Sequence, residues 1–444
     1  MKRCLALLAF LMVVAGPMHA QGLRGKLDEL FIFGTGEDPL FLGGTANPDN
    51  PTSVQAHGSH FVPAAVEGNA TLISFLTSAI STNIANLPIS ATSSGRTFRF
   101  VGGVPQATST SPGPIFAERA QTLGRGRVLV GATVNRFRFE SVRGVDLDNV
   151  ELNFTHSNSD FEGCDAIFSG DCSLLGIPTL ENEVVEFNLA LNLDVTSTLF
   201  VLTYGLLDFV DIGVAVPLVS TSIRGFSEAQ VVPFTGPDAT HFFAGTPSSP
   251  EMSASRFVEG SATGLGDVAG RLKIRVAQSS TTGFAILADG RFGTGSAEDL
   301  LGSGHTSVRG LGIVSAQYGA FSPHANVGYA YRSGELQNDA MLATVGFDHM
   351  LAEWATLAID LLTEWQVGDS KLTVPDPVTI ESPFTRTIEP TNIPNIRDDI
   401  VSAAVGFKFV TPSGLTIVTN SLWPLNKGGL RANIAWTLGL EYNF

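Results

Sequence analysis

The side chains that could do chemistry in this sequence are few and scattered. Histidines stand at positions 57, 60, 156, 241, 305, 324 and 349 after the first twenty residues, and none lies in a nucleophile motif. Hydrolysis or acyl transfer needs a nucleophile, a base and an orienting group at one place. No stretch supplies that set, so an enzyme is not expected. His57 and His60 could share a metal ion, but two imidazoles in a Gly/Ser loop make a weak ligand set, and no cofactor or metal is assigned. Asp146, Asp148 and Asp160 could join a Ca²⁺ site, although the ordered loop such sites carry is missing. Cys164 and Cys172 stand in the polar stretch Asp160–Ser173. In an oxidising compartment they predict one small disulfide ring in an external loop. A metal pair is the alternative, with only His156 nearby.

The other candidates are charges embedded in apolar surroundings: Asp267, Arg271, Arg275, Asp289, Arg291, Asp360 and Glu364. They could line a path for a substrate, or they could pair with one another for structural reasons. The elements that carry them decide what they face. Charged residues are only 15% of the chain and apolar residues 44%, with 47 glycines. A soluble protein usually carries nearer a quarter charged residues. A helical membrane protein needs runs of about 20 apolar residues. The nearest such run, Leu199 to Val219, has Asp208 and Asp211 in its middle and reads as two strands meeting at a turn.

Alternation is the main signal. In Leu430–Phe444 the residues Leu430, Ala432, Ile434, Trp436, Leu438, Leu440, Tyr442 and Phe444 share one face, and Arg431, Asn433, Thr437, Glu441 and Asn443 the other. The same period of two recurs in 185–195, 267–276, 357–366 and 401–409, and only weakly in 127–141 and 306–317. Strands that meet lipid on one face and a wet lumen on the other must alternate in this way, and placing the charges toward water avoids the cost of burying them. Short connections are predicted near Leu206–Asp208, Gln278–Thr282, Gly319–Ser322, Leu351–Glu353 and Thr411–Gly414. Longer ones are predicted at 143–181, 226–261, 294–304, 333–338, 368–398 and 422–429. Short turns alternating with long loops are the asymmetry of outer-membrane barrels. The expected fold is therefore all-β, a transmembrane antiparallel barrel of about twelve strands over 124–444, rising to fourteen if Thr97–Val104 adds to the wall.

Residues 1–20 read as a secretory signal peptide, with Lys2 and Arg3 ahead of an apolar run and Ala20 at the cleavage point. Their removal takes two basic and no acidic residues, so the net charge moves from −16 to −18. Such acidity argues against a nucleic-acid partner. Residues 21–123 do not alternate. They hold an apolar stretch, Ala70–Ile80, suited to a short helix before Pro88, and Ile115–Gln121, suited to one or two helical turns. A plug or hatch inside the lumen is favoured over a periplasmic appendage, because the apolar helix needs cover. Phe61, Leu72, Phe75 and Leu76 would then offer apolar affinity to a ligand.

Three phrases carry a resemblance: Ser111-Pro-Gly-Pro-Ile-Phe-Ala-Glu-Arg-Ala-Gln-Thr-Leu-Gly-Arg-Gly-Arg127, Thr263-Gly-Leu-Gly-Asp-Val268, and Gly290-Arg-Phe-Gly-Thr-Gly with Glu298-Asp-Leu-Leu-Gly-Ser-Gly304. In this order, over about residues 94–444, the chain resembles the outer-membrane family named for the meta-pathway of phenol degradation, which is related to long-chain fatty-acid channels. The resemblance implies a barrel with an N-terminal lumen segment and uptake of hydrophobic, often aromatic, compounds. It assigns no binding residue, and the glycines of the phrases also suit plain turns.

The functional expectation is an outer-membrane channel of a Gram-negative bacterium for small hydrophobic molecules. A general porin for polar solutes and a structural or adhesion barrel are the alternatives. Expected partners are outer-membrane lipid and lipopolysaccharide, a small hydrophobic ligand, and the assembly machinery that reads a C-terminal strand ending in Phe444.

Overall fold

The computed structural model describes residues 22–33, 38–44, 60–68, 70–72, 98–101, 104–107, 113–156, 165–166, 183–233, 241–246, 248–334, 337–381 and 384–444. The expected signal peptide, His57, Phe75, Leu76, Asp160 and the Cys164–Cys172 pair lie outside them.

Twelve antiparallel strands close into a barrel. They are β1 (Val128–Val142), β2 (Val184–Leu207), β3 (Val210–Val232), β4 in two pieces (Ser253–Leu265 and Val268–Gln278), β5 (Thr282–Phe292), β6 (Ser307–Ala316), β7 (Phe321–Arg332), β8 (Ala340–Ala352), β9 (Ala355–Gln366), β10 (Ile400–Val410), β11 (Thr416–Pro424) and β12 (Leu430–Asn443). Each pairs with the next, and β12 returns to β1 along Asn443↔Leu129 to Leu430↔Val142. Closure leaves no open edge in hydrocarbon, where each backbone group without a partner would cost several kcal/mol. The two pieces of β4 act as one wall strand. The first pairs with β3 from Gln230 to Leu218 and the second from Ala215 to Val210.

All five predicted short turns fall where expected, and they mark one rim, the turn end. The longer connections gather at the opposite loop end. Two of these connections are shorter than predicted. Residues 226–232 and 253–261 are paired strand within β3 and β4, and 422–424 belong to β11. The weakly alternating stretches 127–141 and 306–317 are wall strands nonetheless. Thr97–Val104 does not join the wall, since Phe98–Val101 pairs only with Val104–Ala107.

The lipid-facing belt is the set of large apolar residues that remain exposed, among them Phe200, Leu202 and Tyr204 on β2, Phe284 and Ile286 on β5, and Trp436, Leu438 and Leu440 on β12. On β2 the alternation is as predicted, but its sense reverses in the upper half. Val185, Phe187, Leu189, Leu191, Leu193 and Val195 point inward and are buried, while Glu186, Asn188, Asn192 and Asp194 point away from the core. The polar set there faces solvent instead of the lumen. The reason is length. With 24 residues at about 3.3 Å each, β2 far exceeds the roughly ten residues that span a bilayer. Its upper half stands above the belt and behaves as one face of a soluble sheet.

That inward apolar face is covered by the N-terminal segment. Helix α1 (Leu23–Glu29) buries Leu23 and Leu27 against the upper wall. Phe31 stacks on Phe187 with ring centroids 4.6 Å apart, and Ser227 donates to the Leu30 carbonyl at 2.7 Å. Full burial of such side chains is worth about 1.5–3 kcal/mol each. Residues 62–68 and 70–72 are helical, so helix is present ahead of Ala70; the rest of the predicted stretch, 73–80, lies outside the described residues. Ile115–Gln121 is not helical; it runs as bends and irregular chain, with backbone groups bonded to wall side chains instead of to one another.

Candidate functional site

β4 shows how the lumen is built. Leu272, Ile274 and Val276 face lipid, which with a period of two turns Arg271, Lys273 and Arg275 inward. Arg271 and Lys273 meet Glu118, which arrives from the N-terminal segment. Arg271 Nη2 lies 2.7 Å from Glu118 Oε1, and Lys273 Nζ lies 3.1 Å from Oε2. Arg271 Nε also lies 3.3 Å from Asp289, whose carboxylate is shared with Arg309 at 3.1 Å and Arg291 at 3.6 Å. Buried charges are tolerable only when paired and hydrogen-bonded, and here one wall and one segment supply both signs.

The rest of 113–123 is tied down residue by residue. Phe116 N–H donates to Asp360 Oδ2 at 3.3 Å. Glu118 exchanges two hydrogen bonds with Asn326, at 2.7 and 2.9 Å. Arg119 pairs with Asp348. Ala120 N–H donates to Ser315 Oγ at 3.0 Å, and Leu123 N–H to Asp211 Oδ2 at 3.0 Å. These partners sit on β9, β7, β8, β6 and β3, so with β4 half of the wall grips the segment. At the turn end the chain leaves through Gly124 and Gly126, both with positive φ (91° and 79°), a conformation glycine adopts freely. Gly126 N–H donates to the Gly205 carbonyl at 2.7 Å. Gly205 itself must lack a side chain, because a Cβ there would strike the Gly124 carbonyl.

The other predicted charges have structural partners of their own. Asp267 sits at the bend between the two pieces of β4 and accepts from Gly295 N–H at 3.0 Å, Ser303 N–H at 2.8 Å and Ser303 Oγ at 2.6 Å. It thereby fastens the loop that follows β5, so two of the phrases noted in the sequence are parts of one anchor. Arg275 donates to the Asp208 carbonyl at 2.8 Å. Asp360 accepts from His324 Nε2 at 2.6 Å, and Glu364 pairs with Arg332 at 2.6 Å. Sequence reasoning did not single out Glu118, Arg119, Lys273, Asp348 or Asn326. The adjacent opposite charges Glu118-Arg119 inside a Gly/Pro-rich apolar phrase were the available signal. Beside the segment lies a cavity of about 110 Å³ with a mixed lining, charged at Glu118, Arg271 and Arg431 and apolar at Phe116, Leu342 and Leu362.

Phe61 and Leu72 are not in that lumen. Both are buried in the apolar core at the loop end. Leu72 lines a second cavity there, of about 170 Å³, with Ala64, Val142, Phe154, Leu372 and Ile393. Its outer side is formed by the loop 367–399, which Arg143 holds in place. The Arg143 side chain is fully buried and bonds Asp398 at 2.8 Å through both Nε and Nη2, Ser370 Oγ at 2.8 Å and the Leu372 carbonyl at 3.2 Å. Arg143 and Gly144, both with positive φ (46° and 83°), form the two-residue turn that twisted hairpins favour.

No protein-family model matches the chain, and no curated protein does. Among solved structures it is similar to an outer membrane channel from Pseudomonas putida F1, at 11% identity over 73% of this chain and 98% of that one, with a TM-score of 0.39. It is also similar to the TodX monoaromatic hydrocarbon channel (deltaS2 mutant), at 12% identity over 73% and 91%, TM-score 0.32. A Pseudomonas aeruginosa FadL homologue aligns at 10% identity over 73% and 90%, TM-score 0.29. These are similarities of barrel to barrel, and the assignment of chemistry rests on the residues above.

Proposed function

We propose that this protein is an outer-membrane channel for the uptake of small hydrophobic compounds, which it first binds in the apolar cavity at the loop end. The observation that carries this reading is the cavity itself. It is bordered mainly by carbon, from Ala64, Leu72, Val142, Phe154, Leu372 and Ile393, and stands at the head of a barrel with an apolar belt. An apolar cavity of about 150 Å³ stays dry and takes up benzene, so about 170 Å³ suits a compound of one aromatic ring. A general porin is less well supported, because 113–123 is bonded to half of the wall and the cavity beside it, about 110 Å³, is too small for a sugar to pass.

The test is transport across vesicles whose outer leaflet is lipopolysaccharide, which apolar solutes cross poorly. The full chain should accelerate a toluene-like tracer and leave a disaccharide tracer at the protein-free rate. Leu72→Glu and Phe154→Glu should each cut the toluene-like rate about fivefold or more, by placing a charge where the ligand needs carbon. Equal rates for both tracers, or undiminished apolar uptake in both folded variants, would refute the proposal.

A further inference from the structure

We infer that His60, His156 and His241 form a binding site for a divalent transition-metal ion that clasps the N-terminal segment to the outer loops. The three imidazoles come from places far apart in the chain: ahead of helical residues 62–68, directly after the strand Val150–Thr155, and from the connection between β3 and β4. All three side chains are buried, and one ligating nitrogen from each lies within 4.8 Å of the others. The ring centroids are 4.8–5.2 Å apart. His156 Nε2 is 3.3 Å from His241 Nδ1, and the Glu183 carboxylate lies 2.5 Å from that same nitrogen.

Zinc binds imidazole nitrogen at about 2.0–2.1 Å in tetrahedral sites, which places ligand nitrogens about 3.4 Å apart. One pair here already has that spacing, and the third nitrogen needs to move by no more than about 1.5 Å by the same geometry. Three imidazoles suit zinc, nickel or copper, whereas calcium and magnesium require oxygen ligands. Glu183, buried with its carboxylate on His241 Nδ1, supplies negative charge against the cation, and a metal on that nitrogen takes the place of its hydrogen bond to Glu183. Binding uses neutral imidazoles and so releases whatever protons they hold.

The site has a structural consequence. His60 stands one helical turn ahead of Ala64, which borders the apolar cavity with Gly68 and Leu72, and His156 directly follows Phe154 and Thr155, which also border it. An ion shared by His60 and His156 would hold two walls of that cavity together. The inference does not depend on what the cavity binds.

The experiment uses the full chain, purified in detergent without a histidine tag and stripped with a chelator. Titration with Zn²⁺ should show one equivalent bound, with Ca²⁺ and Mg²⁺ giving none. His241→Ala and His156→Ala should each weaken Zn²⁺ binding at least about 100-fold, and Glu183→Gln, which removes only the neighbouring negative charge, should weaken it less than either. Co²⁺ should give a four- or five-coordinate visible spectrum in the wild type that both histidine variants lose. Zn²⁺ should also slow proteolysis within residues 60–72 in the wild type only. Heat-modifiable migration on gels checks that each variant keeps its barrel. No stoichiometric Zn²⁺, or equal binding by a folded His60→Ala/His156→Ala/His241→Ala variant, would overturn the inference.

Discussion

Replacing Glu118 by alanine should release the segment that fills the lumen. The carboxylate lies 2.7 Å from Arg271 and 3.1 Å from Lys273, whose side chains are 2% and 0% exposed. Removing one partner of a buried pair costs about 3–5 kcal/mol, chiefly because charge is left buried without compensation. Arg271 retains Asp289 at 3.3 Å, so the lower figure, about 3 kcal/mol, applies. The cost falls only on the filled state, since in a vacated lumen both cations are hydrated. At about 1.4 kcal/mol per factor of ten, the vacated fraction should rise roughly 100-fold. Single-channel recording in planar bilayers reads this directly as open probability. Glu118→Gln keeps an acceptor of the same shape without the charge and should give a smaller rise. The hydrogen bonds between Asn326 and the Glu118 backbone persist in both variants, so the difference reports the carboxylate. An open probability within about threefold of wild type in a folded Glu118→Ala barrel would refute the argument.

Two further predictions follow from the wall and its loops. Leu202→Arg and Asn192→Arg lie on the same outward face of β2, one within the apolar belt and one above it. The first should lower barrel stability by about 2–4 kcal/mol and the second by about nothing, as measured by urea titration in lipid vesicles; equal effects would refute the placing of the upper half of β2 above the belt. Asp267→Ala deletes the acceptor for Gly295 and Ser303. Hydrogen bonds to charged groups contribute about 1.5–3 kcal/mol, so cleavage by protease within 294–304 should accelerate at least tenfold while the barrel stays closed.

The barrel was legible in the sequence because a period of two, once a lipid face exists, can be satisfied in only one way. Trp436, Leu438 and Leu440 opposite Thr437 and Glu441 decide the orientation of β12 without any partner. The same rule misleads on β2. Val185–Val195 alternates as cleanly as a membrane strand, yet its apolar side covers a core, and nothing local distinguishes lipid from a packed hydrophobic segment. The lumen charges were recognised as inward-facing, but their partners were not. Arg271 meets Glu118 across 153 positions of chain, and only the closed ring brings them together. His60 illustrates the same limit: the sequence set it beside its near neighbour His57, whereas the fold brings it to His156 and His241.

The path of the chain sets an order of events in biogenesis. α1 is docked at the outer rim, Gly124–Arg127 at the inner one, and 113–123 descends between them before the first wall strand begins. The seam of the ring is formed by β1 and β12, the first and last staves made. A finished hoop could not be threaded by a leading segment already packed on its far side. Residues 113–123 are therefore expected to be laid in while the seam gapes, and the C-terminal strand, on zipping to β1, to seal them in.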